Sequence, residues 1–440
     1  MSETKLRRWA VIPVVLGLML RITYLVRVRR RVELIGDPYF YYHQAKALVR
    51  GQGFIHPFTL LTEHRVEQAA DHPPLYPLLL AFLDKVGITS VMQQMLMNCL
   101  IGTASVVLVM VLARRISGPR TALVAGLFVA VNPNTFRYDG TLWSETLAIA
   151  LMLLSILALH HLLTRPSRRW AAATGLCFGL ATLTRAEYVI ALPLIAAFLL
   201  WTGRRTLRRS FAVVAIFSVV ATATLSPWLV YNATRFEHPV GLTVGFQYLL
   251  PLTNCDSTYY GTTIGYWDVE CLQPAYQRTH LLGRDESVLA SEAAKDGLQY
   301  LRSHKRRALV MPFLRVGRLV SLYQPIQQIN LDIFIEGVER PVAFAGLAAW
   351  YVLVLFGAIG IGSLRRKRND LFALTLPGLV VITASAVTYG TTRFRAGFEP
   401  FVCILAAIGL QHLVHLYRRV MAAPPSVSSP HTTELRALTG

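Results

Sequence analysis

Few residues of this 440-residue chain can do chemistry, and they lie far apart in sequence. Asp37 stands in the run Gly36-Asp37-Pro38-Tyr39-Phe40-Tyr41-Tyr42-His43, and the apolar Tyr41, Ala45, Leu48 and Val49 follow at helical spacing. Two roles are open to it: the cap of a short helix whose first turn holds Pro38, or a general base. A carboxylate that takes a proton from an attacking hydroxyl is worth about 10² to 10⁴-fold in rate. Farther along lie Asp71-His72-Pro73-Pro74-Leu75-Tyr76-Pro77, Ser144-Glu145, Arg185-Ala186-Glu187 and Arg393-Phe394-Arg395, with Glu399-Pro400 after them. The prolines make His72-Pro73-Pro74 a stiff extended segment, either a plain loop-to-helix junction or part of a site. Guanidinium forks match phosphate oxygens, so Arg393 and Arg395 are candidates to meet negative charge on a phosphate leaving group; the alternative is an anchor paired with Glu399. Asp139, Glu145, Arg185 and Glu187 either line a binding surface or form ion pairs between helices.

The elements that must position these groups are membrane helices. Hydrophobic residues make up 54% of the chain, charged residues 15%, and mean hydropathy is +0.44. That excludes disorder and an ordinary soluble domain. Apolar runs bounded by charge or proline predict about ten spans: 9–26, 94–113, 120–134, 144–163, 170–184, 188–202, 211–231, 341–363, 371–389 and 400–417. The short segments 1–8, 114–120, 164–170, 203–210, 364–370 and 418–440 hold 20 of the 44 Lys and Arg and only three acids, Glu3, Asp370 and Glu434. This is the positive-inside pattern, with both termini cytoplasmic, and it explains the net charge of +20 without nucleic acid. Arg27, Arg29, Arg30 and Arg31 depart from it, either as a lipid-phosphate site or as helix flank. The N-terminal basic and apolar run lacks a small-residue cleavage site and is expected to stay as an anchor.

The expected organisation is a membrane module over 1–231 carrying a first outer loop at 27–93, an outer loop with interfacial helices at 232–340, membrane helices over 341–420, and a disordered cytoplasmic tail over 421–440. Leu289 to Leu322 is expected to lie on the membrane surface, with Arg315 and Arg318 on its polar side. Cys255 and Cys271 in the second loop permit a disulfide, or stand as two free thiols. Tyr259, Tyr260, Tyr266 and Trp267 suit either a sugar-ring platform or a membrane-interface belt.

An acid after the first span, a tyrosine-rich short helix, Gly51-Gln52-Gly53 and His72-Pro73-Pro74-Leu75-Tyr76-Pro77 resemble the first outer loop of GT-C membrane glycosyltransferases. The closest resemblance is to the branch of protein O-mannosyltransferases, the lipid A aminoarabinose transferase and Rgt-type bacterial enzymes. It extends to Ser144-Glu145, Leu183-Thr184-Arg185-Ala186-Glu187 and Arg393-Phe394-Arg395. Where the mannosyltransferases carry Asp-Glu, this chain has Asp37-Pro38, and it lacks their lumenal insertion and the large soluble C-terminal domain of the aminoarabinose transferase. The resemblance implies an all-α GT-C fold and inverting transfer of a sugar from a polyprenyl-phosphate donor to a glycan, lipid or protein acceptor on the outer face of a bacterial plasma membrane. Asp37 is then the base, Arg393 and Arg395 receive the phosphate, and His72, Glu145, Tyr41 and Arg185 shape the substrate pocket. No cofactor is expected. Asp256, Asp268 and Glu270 lack the spacing of a tetrahedral site, and no metal is expected either. A transporter or flippase of a lipid-linked sugar is the alternative; it should place polar groups in the middle of several spans, whereas Arg21 is the clear mid-span charge.

Overall fold

A computed structural model describes residues 3–29, 33–203, 207–279 and 285–422. The described residues are helical throughout, apart from turns and one isolated bridge between Ile55 and Gln68. Among the described residues, seven helices are long and apolar enough to cross a bilayer: Arg8–Arg29, Val91–Ser117, Glu145–Thr164, Ser210–Ala233, Arg340–Leu364, Arg368–Val387 and Glu399–Met421. The other three expected segments are also helical but short. Pro119–Val131, Arg168–Thr182 and Ala191–Thr202 have 13, 15 and 12 residues. At 1.5 Å per residue they reach about 20 Å against a hydrocarbon core of about 30 Å. The first lies against the helices Glu3–Tyr24 and Val91–Ser117, and the second against Glu145–Thr164 and Leu207–Ala233. The last helix runs to Ala422, and the rest of the expected tail lies outside the described residues.

Close helix approach is arranged by glycine. Arg340–Leu364 packs along Glu399–Ala422, where a Cβ on Gly360 would lie 2.0 Å from the Leu405 carbonyl oxygen and one on Gly409 2.0 Å from that of Phe356. Without hydrophobic drive between helices in lipid, such backbone contact carries the packing. A second tie is ionic. Arg21, 1% exposed, donates from Nε to Asp139 Oδ2 at 2.6 Å and from Nη1 to the Gly17 carbonyl at 3.1 Å, while Thr146 Oγ1 donates to Asp139 Oδ1 at 2.7 Å. Asp139 is therefore a strut between the first helix and Glu145–Thr164, and the lone mid-span charge is neutralised in place.

The first helix ends in a π-helical turn, Leu25–Arg29. This turns Arg29 inward, to the Gly337 carbonyl at 2.7 Å and Glu339 at 2.9 Å. Arg29 thus flanks and pins the helix; Arg27 is exposed, and Arg30 and Arg31 lie outside the described residues. Between residues 232 and 340 the expected surface helix is broken into Glu286–Ser303, Lys305–Ala308 and Met311–Leu319. Leu309, Phe313 and Leu322 are exposed. Arg315 and Arg318 are not on a polar face. They are buried, Arg315 on the carbonyls of Thr253, Ala386 and Val387 and Arg318 on that of Ile264, because they satisfy backbone groups that the irregular loop leaves open. Tyr259 and Tyr266 are buried as well and offer no open ring face. Cys255 and Cys271 are joined in a disulfide.

Removing one partner of the buried ion pair strands the other. Asp139→Ala is expected to destabilise the protein by about 3 to 5 kcal/mol, and the double change Arg21→Met with Asp139→Leu by much less. Thermal unfolding in detergent measures both; equal losses would show that Arg21 is solvated by other groups.

Candidate functional site

Asp37 opens the helix Asp37–Val49 but does not cap it. Gly36 takes the cap position with φ +63°, a left-handed conformation that suits glycine, and Pro38 follows inside the first turn. The Asp37 side chain is left free to turn across the bundle. Its Oδ2 accepts from Arg393 Nη2 at 2.6 Å, across 356 residues of chain, and its Oδ1 lies 3.6 Å from His72 Nε2.

Arg393 is delivered by the short 3-10 helix Thr392–Gly397 ahead of the last membrane helix, with Thr391 Oγ1 accepting from the Arg393 backbone N–H at 3.3 Å. Its guanidinium faces three acids. Nη2 holds Asp37, Nε bonds Glu145 Oε1, and Nη1 lies 3.6 Å from Glu336 Oε2. The plane lies 3.8 Å from the centre of the Trp143 ring, a cation–π contact. Glu145 opens its membrane helix and also bonds Arg185, which reaches Glu187 at 2.5 Å. Tyr41 Oη donates to Ser144 Oγ at 3.2 Å, next to Glu145, and the His72 ring packs on Phe40 and Tyr41, each 4.9 Å away between centres.

Of the residues expected from sequence, Asp37, His72, Tyr41, Glu145, Arg185 and Arg393 therefore come together. Arg395 does not. It is 2% exposed, bonds Ser321 Oγ at 2.9 Å and the Leu319 carbonyl at 3.2 Å, and pairs with Glu399 at 3.2 Å. On a 3-10 helix residues two apart point about 120° away from one another, so only one of the two arginines can face Asp37. Glu336 was not foreseen. It belongs to no motif, and the one signal was an acid beside a glycine just ahead of a span. It lines a cleft with Tyr24, Arg29, Arg137, Trp143 and Arg393.

Burial raises the proton affinity of the half-buried Asp37, but Arg393 and then His72 outweigh it and hold the carboxyl below its usual range. Glu336 goes the other way: burial dominates, and Asp37, Asp332 and Glu145 add to it against the pull of Arg393, pushing its pKa up to about 7. The arrangement is thus a fixed cation shared by three carboxyls, of which Asp37 is held below its usual range and Glu336 is raised to about 7. It can offer a proton acceptor and a phosphate-binding fork within one guanidinium's reach.

Comparison with known proteins gives one family model and several similar folds. Residues 71–231 match the family model described as dolichyl-phosphate-mannose-protein mannosyltransferase. The structure resembles the archaeal oligosaccharyltransferase AglB from Archaeoglobus fulgidus in complex with an inhibitory peptide and a dolichol-phosphate, at 15% identity and a TM-score of 0.55 over 97% of this chain and 53% of that one. The same oligosaccharyltransferase tethered to an acceptor peptide containing the NVT sequon superposes with a TM-score of 0.56 at 16% identity, over 95% and 51%. ArnT from Cupriavidus metallidurans bound to undecaprenyl phosphate, at 15% identity over 97% and 82%, superposes with a TM-score of 0.41. The chain spans about half the length of the AglB chains. No curated protein sequence matches it. The chain is a multi-pass membrane protein with the GT-C fold.

The raised affinity of Glu336 has a sign that can be tested. A carboxyl whose folded pKa is raised from 4.5 to about 7 contributes stability below pH 4.5 that is lost as pH rises through 7. Against Glu336→Gln, which stays neutral, the wild type should match at pH 4.5 and fall behind by about 3 kcal/mol at pH 8. Thermal unfolding of both proteins across that range reads the gap; a gap independent of pH would mean that Glu336 is ionised throughout.

Proposed function

We propose that the protein is an inverting glycosyltransferase that moves a sugar from a polyprenyl-phosphate donor to a glycan, lipid or protein acceptor of the cell envelope, at the extracytoplasmic face of a bacterial plasma membrane. The observation that carries this reading is the meeting of Asp37 and Arg393 at one end of the helices. The GT-C fold and the family match over 71–231 support it. The side is supported by charge: the arginine-rich turns 164–170 and 364–370 lie at the other ends of the helix that Glu145 opens and of the helix that ends just before Arg393, and such turns stay cytoplasmic.

Asp37 takes the proton of the acceptor hydroxyl as that oxygen attacks the anomeric carbon from the face opposite the phosphate. The bond from that carbon to the phosphate oxygen breaks, and its electron pair leaves with the lipid phosphate. Arg393 receives the charge. Its fork bonds Asp37; on this reading the donor phosphate takes over the fork, and the carboxylate is then free to act. His72 keeps Asp37 oriented, Glu145 and Arg185 hold Arg393 from behind, and Tyr41 lines the approach. No step requires a cofactor.

The test is transfer of radiolabelled sugar from a panel of polyprenyl-phosphate sugars by membranes containing the wild type or Asp37→Asn at equal expression. Transfer is expected with the wild type and to fall by about 10²-fold or more in the variant. Equal transfer by both would remove Asp37 as the base. Lipid binding by the wild type without transfer from any donor would instead favour a carrier of lipid-linked sugar.

A further inference from the structure

A second cluster of ionisable groups lies apart from Arg393 and is used by no step above. The loop after the helix Asp37–Val49 folds back on itself, with His56 N–H donating to the Glu67 carbonyl at 2.8 Å and Ala69 N–H to that of Phe54 at 3.0 Å. This brings His56 beside Asp71, Nε2 to Oδ2 at 3.0 Å. From the second long loop, Glu286 at the start of the helix Glu286–Ser303 reaches the same place, 5% exposed, its Oε2 accepting from the Ala70 N–H at 2.8 Å. One donor atom from each of His56, Asp71 and Glu286 lies within 4.8 Å of the other two.

The cluster is short of positive charge. Two carboxylates, those of Asp71 and Glu286, share this place with a single imidazole. Among the described residues no lysine or arginine pairs with either acid. Arg235 is near enough to be felt by Glu286, but its donors are committed to the carbonyls of Phe54 and Ala69 and to Gln68 and Asn232. A divalent cation among the three donors would satisfy both acids.

We propose that His56, Asp71 and Glu286 form a divalent-cation site of the zinc type that clasps the first long loop to the second. One imidazole and two carboxylates are the donor set of a borderline cation such as Zn²⁺ rather than of Mg²⁺ or Ca²⁺, which favour oxygen alone. Tetrahedral donors at about 2.1 Å from zinc stand roughly 3.4 Å apart, so the cluster has to close by about an ångström. His56 already has an orienting partner. With Nε2 on the metal, its proton sits on Nδ1 and is donated to Thr59 Oγ1, 3.1 Å away, the usual arrangement behind a metal-bound histidine; the Thr59 N–H that now faces Nδ1 at 3.2 Å then turns to water. The clasp matters to the site because Asp71 is followed directly by His72, which stands against Asp37.

The test does not depend on glycosyl transfer. Full-length protein, without a polyhistidine tag, is stripped with EDTA, given Zn²⁺ alone and desalted; bound zinc is counted by mass spectrometry and the thermal midpoint is read with and without the ion. The wild type is expected to retain one Zn²⁺ per chain and to melt higher with it. Glu286→Gln and His56→Gln should each weaken retention by about a hundredfold or more and lose the thermal shift, whereas Glu270→Gln, a solvent-facing acid of the same loop, keeps both. Zinc retained equally by the wild type and both ligand variants, or not retained by the wild type, overturns the proposal; a Mg²⁺ shift as large as that of Zn²⁺ overturns the assignment of cation type. If one ligand variant fails to fold, the other decides.

Discussion

Arg393 is the group on which the rest of the site depends. It is a cation at the end of a membrane bundle, facing Asp37, Glu145 and Glu336, which come from three distant parts of the chain. A guanidinium taken out of water costs several kcal/mol unless paired, and each of these acids would be equally costly alone. Helices that carry one of them are therefore held in register by the others. The first short helix, the helix Glu145–Thr164, the loop before Arg340 and the turn before the last membrane helix all meet at this one fork.

The two ends of the bundle obey different rules. At the arginine-rich end, charges stand close to water, with pairings such as Arg115 with His161 and His160 with Asp370. Inside the bundle and at the other end, buried charges are paired: Arg21 with Asp139, Arg185 with Glu145 and Glu187, Arg395 with Glu399. Buried pairs of this kind add little net stability but tolerate no loss of a member. They also leave the binding groups pre-positioned, so a substrate meets a fixed field rather than one it must organise.

Hydropathy was enough to locate the ten apolar helices, because a lipid-facing surface imposes one composition over a long run. It could not tell which of them are too short to span alone, since that depends on what surrounds them. Site residues were legible where type and local context agreed: Asp37 before a proline, His72 before two prolines, Glu145 opening a span. Arg395 misled because two arginines one residue apart look alike in sequence, while the 3-10 turn sends one to Asp37 and the other to Glu399. Glu336 was invisible for a different reason. Its environment is made by residues hundreds of positions away, and nothing in Ile335-Glu336-Gly337 announces that burial. The same holds for the pairing of Asp71 with Glu286.

The balance at Asp37 explains why such a crowded fork can serve a reaction. Two large influences oppose each other there, burial raising the proton affinity of the carboxyl and Arg393 lowering it. A small difference between large opposed effects is sensitive to either. While the fork holds Asp37, Arg393 keeps its carboxyl below the usual range; on the proposed reading, a phosphate that draws the fork away leaves burial opposed by the weaker pulls of His72 and Arg185, and the basicity of Asp37 rises as a proton has to be taken. A carboxylate left permanently unpaired in this half-buried place would be shifted toward its protonated form, and one permanently held would be a weaker base. On the proposed reading, then, the ion pair between Asp37 and Arg393 couples donor binding to base strength, which is why the two residues have to meet directly rather than merely share a pocket.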